Sequence, residues 1–309
     1  MRAVGPVAAI DCGTNSTRLF VVDARGRPLE RLMRITRLGE GVDATGKLSG
    51  DAMDRCLSVL SEFREVMHGL RVVRSRLVAT SAARDASNGD EFLRAAGETA
   101  GVTPELLDGT AEARLSMAGA VSDLDPDDGP FLILDIGGGS TELVAGSGPD
   151  DPALAAVSMQ IGCVRVTERF LDSDPPSPDE MGRAQSMVLE MLDTTIADEP
   201  RLQTARRLVG LAGTVTTLAS LQMGLDDYDR NRVHHSVLTI DEVRLWYRTL
   251  ATEVTQARLD RAGMVPGRED VIVGGAMILD LVMDRFGFRD CLVSEADILD
   301  GMVAGLLEG

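Results

Sequence analysis

The chain has 309 residues, 44 % of them apolar, and carries a net charge of −18. That length suits two ordinary domains, and that apolar content suits a globular fold rather than a disordered chain. The acidic balance argues against general nucleic-acid binding, which shows as a basic surface, and no apolar run reaches the ~20 residues of a membrane span.

In chain order, VAAIDCGTNSTRLFVVDARGRPLERLMRITRL alternates short apolar runs with turn residues, which predicts a β-meander. Asp51 to Leu70 has helical apolar spacing behind Ser49 and Gly50. RSRLVATSAARDASN reads as a short strand and a polar turn, Asp90 to Gly101 as a helix, and PELLDGTAEARLSMAGAV as strand, glycine turn and helix. Ser122 to Pro130, SDLDPDDGP, is charged, proline-bearing and aperiodic, so it marks the expected domain boundary. FLILDIGGGSTELVAGSGPDDPALAAVSMQ then repeats the strand and turn pattern, with a helix expected near Val164 to Leu171. Ser177 caps a long helix reaching about Asp198. RLVGLAGTVTTLASLQMG predicts strand, glycine turn and helix. Helical patterns follow from Asp241 and Glu269, then a strand at Cys291 to Ser294 and a last helix. Meanders trailed by helices indicate α/β layers with mixed sheets, not an all-parallel sheet. Residues 1–125 and 126–309 are the expected domains, with a terminal helix at 296–308 that packs back on the first.

Ile10-Asp11-Cys12-Gly13-Thr14-Asn15-Ser16-Thr17-Arg18 resembles Leu134-Asp135-Ile136-Gly137-Gly138-Gly139-Ser140-Thr141-Glu142. Each has an aspartate at a strand end, glycine two residues on, then hydroxyl residues opening another strand. The pair suggests duplicated domains facing one another. Glycine lets backbone N–H groups converge on phosphate oxygens, and an aspartate at such a turn can hold magnesium directly or through water. The competing reading of each turn is a plain β-hairpin. Asp135 and Glu142 flank the second turn, so a hairpin brings both toward one ligand. A third turn, Gly210-Leu211-Ala212-Gly213-Thr214, runs into a helix whose N-terminus can face an anion; its plain reading is close helix–strand contact. No GxxxxGK[ST] and no GxGxxG opening a helix occurs.

IDCGTNSTRL, ATSAARDA, DGTAEARL, LDIGGGSTEL, IGCVRVTE, LAGTVTTLA and PGREDVIVGGA, in this order from Ile10 to Ala276, resemble the exopolyphosphatase and guanosine-pentaphosphate phosphatase family. The resemblance implies two ribonuclease-H-like domains of the actin-like superfamily around a cleft that holds the active site. It implies magnesium-dependent hydrolysis of the terminal phosphoanhydride of inorganic polyphosphate, with guanosine pentaphosphate as the alternative substrate. In the family's image, Asp135 supports magnesium with Asp11 as its first-domain counterpart. Gly137, Gly138, Gly139 and Ser140 cradle phosphate, and Glu142 is a further catalytic or metal-linked acid. Asn15, Ser16 and Arg18 contact phosphate from the first domain, and Gly213 and Thr214 add a third contact.

Glu112, in Gly109-Thr110-Ala111-Glu112-Ala113, resembles the family's catalytic glutamate and is the expected general base. Its plain reading is a solvated acid favoured at a helix start. Arg84 resembles the family's phosphate-binding arginine; its plain reading is an ion pair with Asp85. Arg165 and Arg268 are secondary candidates of the same kind, and His234 and His235 read as polar core or rim. Gly274-Gly275-Ala276 resembles the adenosine-side loop of superfamily kinases, with helix packing as the alternative. Where the family commonly has arginine and glycine, this chain has acids at Glu295, Asp297 and Asp300, which are expected to weaken long-chain binding. Short polyphosphates and low processivity follow as expectations.

Cys12, Cys56, Cys163 and Cys291 lie far apart without CxxC spacing, so zinc and disulfides are not expected. The N-terminus shows no secretory h-region. A cytoplasmic homodimer without nucleic-acid or membrane partners is the expectation. A superfamily kinase and a non-catalytic phosphate or nucleotide sensor are the competing functions.

Overall fold

The opening meander folds as three strands, β1 (Val7–Cys12), β2 (Ser16–Val22) and β3 (Pro28–Ile35). The computed structural model describes residues 4–308. After the meander come α1 (Val42–Thr45), α2 (Gly50–Gly69), β4 (Arg74–Ala79), α3 (Ser81–Asp85), α4 (Gly89–Ala100), β5 (Pro104–Leu106) and α5 (Gly109–Ala120). The Ser49 side chain caps α2 by accepting from the Ala52 N–H. Ala52, Cys56, Leu60, Phe63 and Met67 then form its buried stripe, at the three- and four-residue steps of a helix face. The polar turn expected after Ala79 is instead a short helical turn, α3, whose Ser81, Ala82 and Ala83 are buried. Small side chains let that turn sink into the core.

The second half repeats the plan with β6 (Phe131–Ile136), β7 (Thr141–Gly146), β8 (Ala155–Met159), α6 (Cys163–Phe170), α7 (Pro178–Asp198), β9 (Arg207–Leu211) and α8 (Ala212–Met223). It continues with α9 (Arg230–Val233), β10 (Val237–Thr239), α10 (Ile240–Ala251), α11 (Thr255–Leu259), α12 (Ile272–Phe286) and β11 (Asp290–Val293), and α13 (Ile298–Glu308) closes the chain. The α7 cap expected from Ser177 is a full capping box with Glu180. Backbone and side-chain donors from Ser177 and Ser173 hold the Glu180 carboxyl down to about 2. The helix expected from Glu269 starts at Ile272, because Gly267 donates its N–H to the Glu269 carboxylate and ties the preceding loop.

The sheets have the orders β3-β2-β1-β4-β5 and β10-β11-β9-β6-β7-β8. In both, an antiparallel three-strand meander continues through two parallel neighbours: β1 pairs with β4 and β4 with β5, and β6 pairs with β9 and β9 with β11. This is the ribonuclease-H-like order, built twice, with β10 added antiparallel to β11. The chain divides into two units, Met1–Gly119 with Ile298–Gly309, and Ala120–Asp297.

Alternation along β1 explains why the first sheet needs cover on both faces. Ala8, Ile10 and Cys12 enter the core with residues of α2 and α4, including Leu60, Phe63 and Phe92. Val7 and Ala9 face the other way with Val78 and Phe20, under Ile298, Leu299, Met302 and Val303 of α13. Each fully buried aliphatic of this size stabilises the fold by roughly 1.5–3 kcal/mol. In the second unit α12 is buried from Ile272 through Leu279 and forms the centre of the core. No described helix is long and apolar enough to cross a membrane.

Candidate active site

The two echoing segments fold as matching hairpin turns. Gly13 donates its N–H to the Ser16 carbonyl at 3.0 Å, and Gly137 to the Ser140 carbonyl, also at 3.0 Å. Asp11 lies directly opposite Arg18 on β1 and β2, and Asp135 directly opposite Glu142 on β6 and β7. Opposed residues of an antiparallel pair stand on one face of the sheet. In the first hairpin Arg18 donates through Nε and Nη2 to Asp11 Oδ2, at 3.0 and 2.6 Å. In the second, two carboxylates face each other, Glu142 buried and Asp135 half-buried. Like charges so placed repel, and their oxygens are hard ligands suited to magnesium. That donor set fits the expected ion; Asp11 is bonded by a guanidinium at Oδ2.

Helix α6 aims the second turn. Cys163, Val164 and Arg165 donate backbone N–H groups to the carbonyls of Gly137 and Gly138, at 2.9, 3.0 and 3.1 Å. These are donors that a helix start leaves unsatisfied. A trans peptide sets N–H opposite C=O, so the Gly138 and Gly139 amides point away from α6. That presents them as a pair, as a phosphate nest requires. The approach needs a bare backbone at Gly162, where a Cβ would lie 2.4 Å from the Gly138 oxygen. Ser140 is buried in this turn.

The third expected contact resolves differently. Arg268 lies across Gly213 at the start of α8, so close that a Cβ there would be 1.8 Å from the guanidinium carbon. Thr214 is buried, with its hydroxyl against Gly275 of α12. What α8 offers an anion is therefore its Gly213 end and Arg268. Burial pushes the Cys163 thiol up, which makes it a packing group rather than a nucleophile. Gly274 and Gly275 belong to α12, packed on α6 and α8. A Cβ on Gly275 would meet Thr214 Oγ1 at 2.3 Å, and one on Gly274 the Cys163 carbonyl at 2.9 Å. The glycine pair is a helix-packing device.

In the first unit, Thr14 Oγ1 and Ser81 Oγ are hydrogen-bonded at 2.8 Å, which joins the β1–β2 turn to α3. Asn15 is buried in that turn, and its Nδ2 finds no acceptor; Ser16 beside it is half-buried. From α3, Arg84 donates Nη1 to the Leu107 carbonyl at 2.8 Å and to Glu112 Oε2 at 3.3 Å. Its partner is thus Glu112, 28 residues away, where adjacency suggested Asp85. Arg84 Nη2 is buried with no acceptor. Asp108 caps α5 by accepting from the Ala111 N–H at 2.8 Å, which places Glu112 in the first turn.

Two contributors escaped sequence reasoning. Ser158 on β8 stands opposite Glu142 and donates its hydroxyl to Glu142 Oε1 at 2.7 Å. Gly162 carries no side chain to notice, and its signal was its place in IGCVRVTE before a helix. The C-terminal acids also need correcting, because Glu295 is paired with Arg230 and bonded by Tyr228, and Asp300 with Arg31. Asp297 is buried. These acids are structural partners rather than bare charges against a polyanion. Among the described residues, Asp123, His234 and His235 group closely enough to hold a metal. The Glu295 N–H donates to His234 Nδ1, however, leaving the proton on Nε2 to bond Asp123 at 2.8 Å. That cluster is satisfied by hydrogen bonds.

The model of the Ppx/GppA phosphatase family matches residues 20–308. The chain is 41 % identical to Exopolyphosphatase 2 of Mycobacterium tuberculosis, over 98 % of this chain and 99 % of that protein. Among solved structures, the Aquifex aeolicus PPX-GPPA enzyme superposes with a TM-score of 0.80 at 31 % identity, over 97 % of this chain and 99 % of that one. An exopolyphosphatase from Cytophaga hutchinsonii gives 0.87 at 26 % identity, over 98 % of each chain.

Proposed function

The chain belongs to the Ppx/GppA phosphatase family, and from that membership and the residues grouped within each unit we propose that it is an exopolyphosphatase, a hydrolase that removes terminal phosphate from inorganic polyphosphate. The observation that carries the reading is Arg84: one nitrogen of its guanidinium reaches Glu112, while another is buried with no acceptor. An arginine held beside a carboxylate, with a donor to spare, suits a phosphate oxygen next to a general base.

The roles divide as follows. Arg84 Nη2 and Asn15 Nδ2 donate to oxygens of the terminal phosphate. Glu112 takes a proton from water, whose oxygen attacks the terminal phosphorus. The bridging P–O bond breaks, its electron pair leaves with the shortened chain, and orthophosphate is released. The Gly138 and Gly139 amides and Ser140 hold non-bridging oxygens, with Arg268 at Gly213 as a further cation. Asp135 and Glu142 would hold magnesium, which when bound neutralises phosphate charge during the displacement. Asp11 acts through Arg18, whose charge it orients.

With a net charge of −18, attraction of polyphosphate falls to these arginines and the ion, which supports short substrates and low processivity. The four free cysteines are all buried, in keeping with a cytoplasmic setting.

The test is phosphate release from polyphosphates of defined length and from guanosine pentaphosphate, in magnesium and in chelator. Release from short polyphosphate, lost in chelator and in Glu112→Gln, is expected. Faster release from guanosine pentaphosphate would replace the substrate assignment. Full-length chains coexisting only with orthophosphate would overturn the low processivity.

A further inference from the structure

Across β6, β7 and β8 the register sets Asp135 opposite Glu142 and Glu142 opposite Ser158. The three side chains therefore form one row on one face of the sheet. β8 ends the sheet, so Ser158 is the outer member of the row. Strand spacing puts Ser158 roughly 10 Å from Asp135, beyond the reach of a hydroxymethyl group. It acts on the pair only through Glu142, to which it donates at 2.7 Å. That length is an ordinary hydroxyl hydrogen bond.

We propose that Ser158 is a positioning residue for the ion: its hydroxyl pins Glu142 Oε1 so that the carboxylate is presented, with Asp135, to one divalent cation. The inference rests on the reading above that Asp135 and Glu142 hold magnesium. A glutamate's terminal torsion is broad and roughly two-fold, so fixing the carboxylate for an ion has an ordering cost that each hydrogen bond to it lowers. A hydroxyl on the neighbouring strand removes that cost in advance, and being neutral it does not compete with the ion for the carboxylate. Outer groups that orient ligands in this way typically change metal affinity by about 10- to 100-fold.

The probe is manganese(II), an oxygen-seeking octahedral stand-in for magnesium, followed by loss of its free-ion paramagnetic resonance signal without substrate. Ser158→Ala is expected to weaken binding about tenfold and to raise the magnesium half-saturation of phosphate release by the same factor. The KM for polyphosphate at saturating magnesium and the unfolding midpoint stay unchanged. Ser158→Thr, which keeps a hydroxyl, restores affinity. A Ser158→Ala protein that binds manganese like the parent, while Glu142→Gln does not, overturns the role of Ser158 and leaves the ion site standing. A parent protein that binds no manganese, or binds it equally well as Glu142→Gln, overturns the ion-site reading and this inference with it.

Discussion

The hairpin turns of the two units share a length, a closing hydrogen bond and an aspartate at the end of the first strand, yet differ in the residue opposite that aspartate. In the first hairpin the residue opposite is Arg18, bonded to Asp11 Oδ2, while in the second it is another carboxylate, Glu142. One duplicated scaffold thus carries two chemistries, decided by one side chain across a ladder. The first sets a cation of the chain beside its aspartate; the second sets two carboxylates side by side, the pair proposed above to hold an ion. The turns are braced differently as well. Thr36 and Arg37 donate backbone N–H groups to the Asn15 carbonyl, whereas the N-terminus of α6 holds the carbonyls of Gly137 and Gly138.

If this division is right, variants in the first unit change turnover or substrate affinity and leave the magnesium response alone. The largest effect is expected for Glu112→Gln, which keeps the shape and removes the base. Turnover falls by about 100- to 10,000-fold with an unaltered magnesium half-saturation. A steady-state magnesium series on the residual activity checks it, and a loss below threefold removes Glu112 from the role.

Gly162→Ala sharpens the contrast from the other side. The added methyl must displace the Gly137–Gly138 turn, and a misplacement of that kind costs on the order of 100-fold in kcat/KM. Circular dichroism should show a folded protein. Wild-type kinetics would mean that the amide pair does not touch substrate.

Arg84→Ala removes a charged donor worth about 1.5–3 kcal/mol, so the KM for polyphosphate should rise about 10- to 100-fold. Arg27, paired with Asp23 on an exposed turn, is the control, and Arg27→Ala should stay within about twofold. Equal shifts in the two variants would reduce Arg84 to general electrostatics.

Asp135→Asn should raise the magnesium half-saturation about tenfold, since a hard cation prefers a charged oxygen. An unchanged value with normal folding would take Asp135 out of the ion site.

The smallest effect tests the comparison most directly, by urea unfolding in chelator. Arg18→Gln breaks a largely buried pair and should cost about 2 kcal/mol. Asp135→Asn relieves a like-charge opposition and should change stability by under about 1 kcal/mol. Equal losses in both would remove the contrast between the hairpins.

Local pattern alone determined much of this protein. Alternating apolar runs, Ser49 and Ser177 at helix starts and the paired Asp-x-Gly segments announce two mixed sheets with helices, because period and capping act within a few residues. The glycine turns and the acids on either side of them were legible for the same reason, since a turn's chemistry is written in its own residues. What only the tertiary structure decided lies across strands and between helices. Arg84 and Glu112 meet because α3 and the start of α5 follow parallel neighbours β4 and β5, a pairing unrelated to chain distance. Gly274 and Gly275 left a glycine loop and helix packing both open until the structure set them against α6 and α8, because a small residue at a close approach reads the same as one facing a ligand. Glu295 and Asp300 looked like liabilities until Arg230 and Arg31 arrived beside them. Ser158 was invisible because its role is set by register, and register belongs to a pair of strands rather than to either sequence.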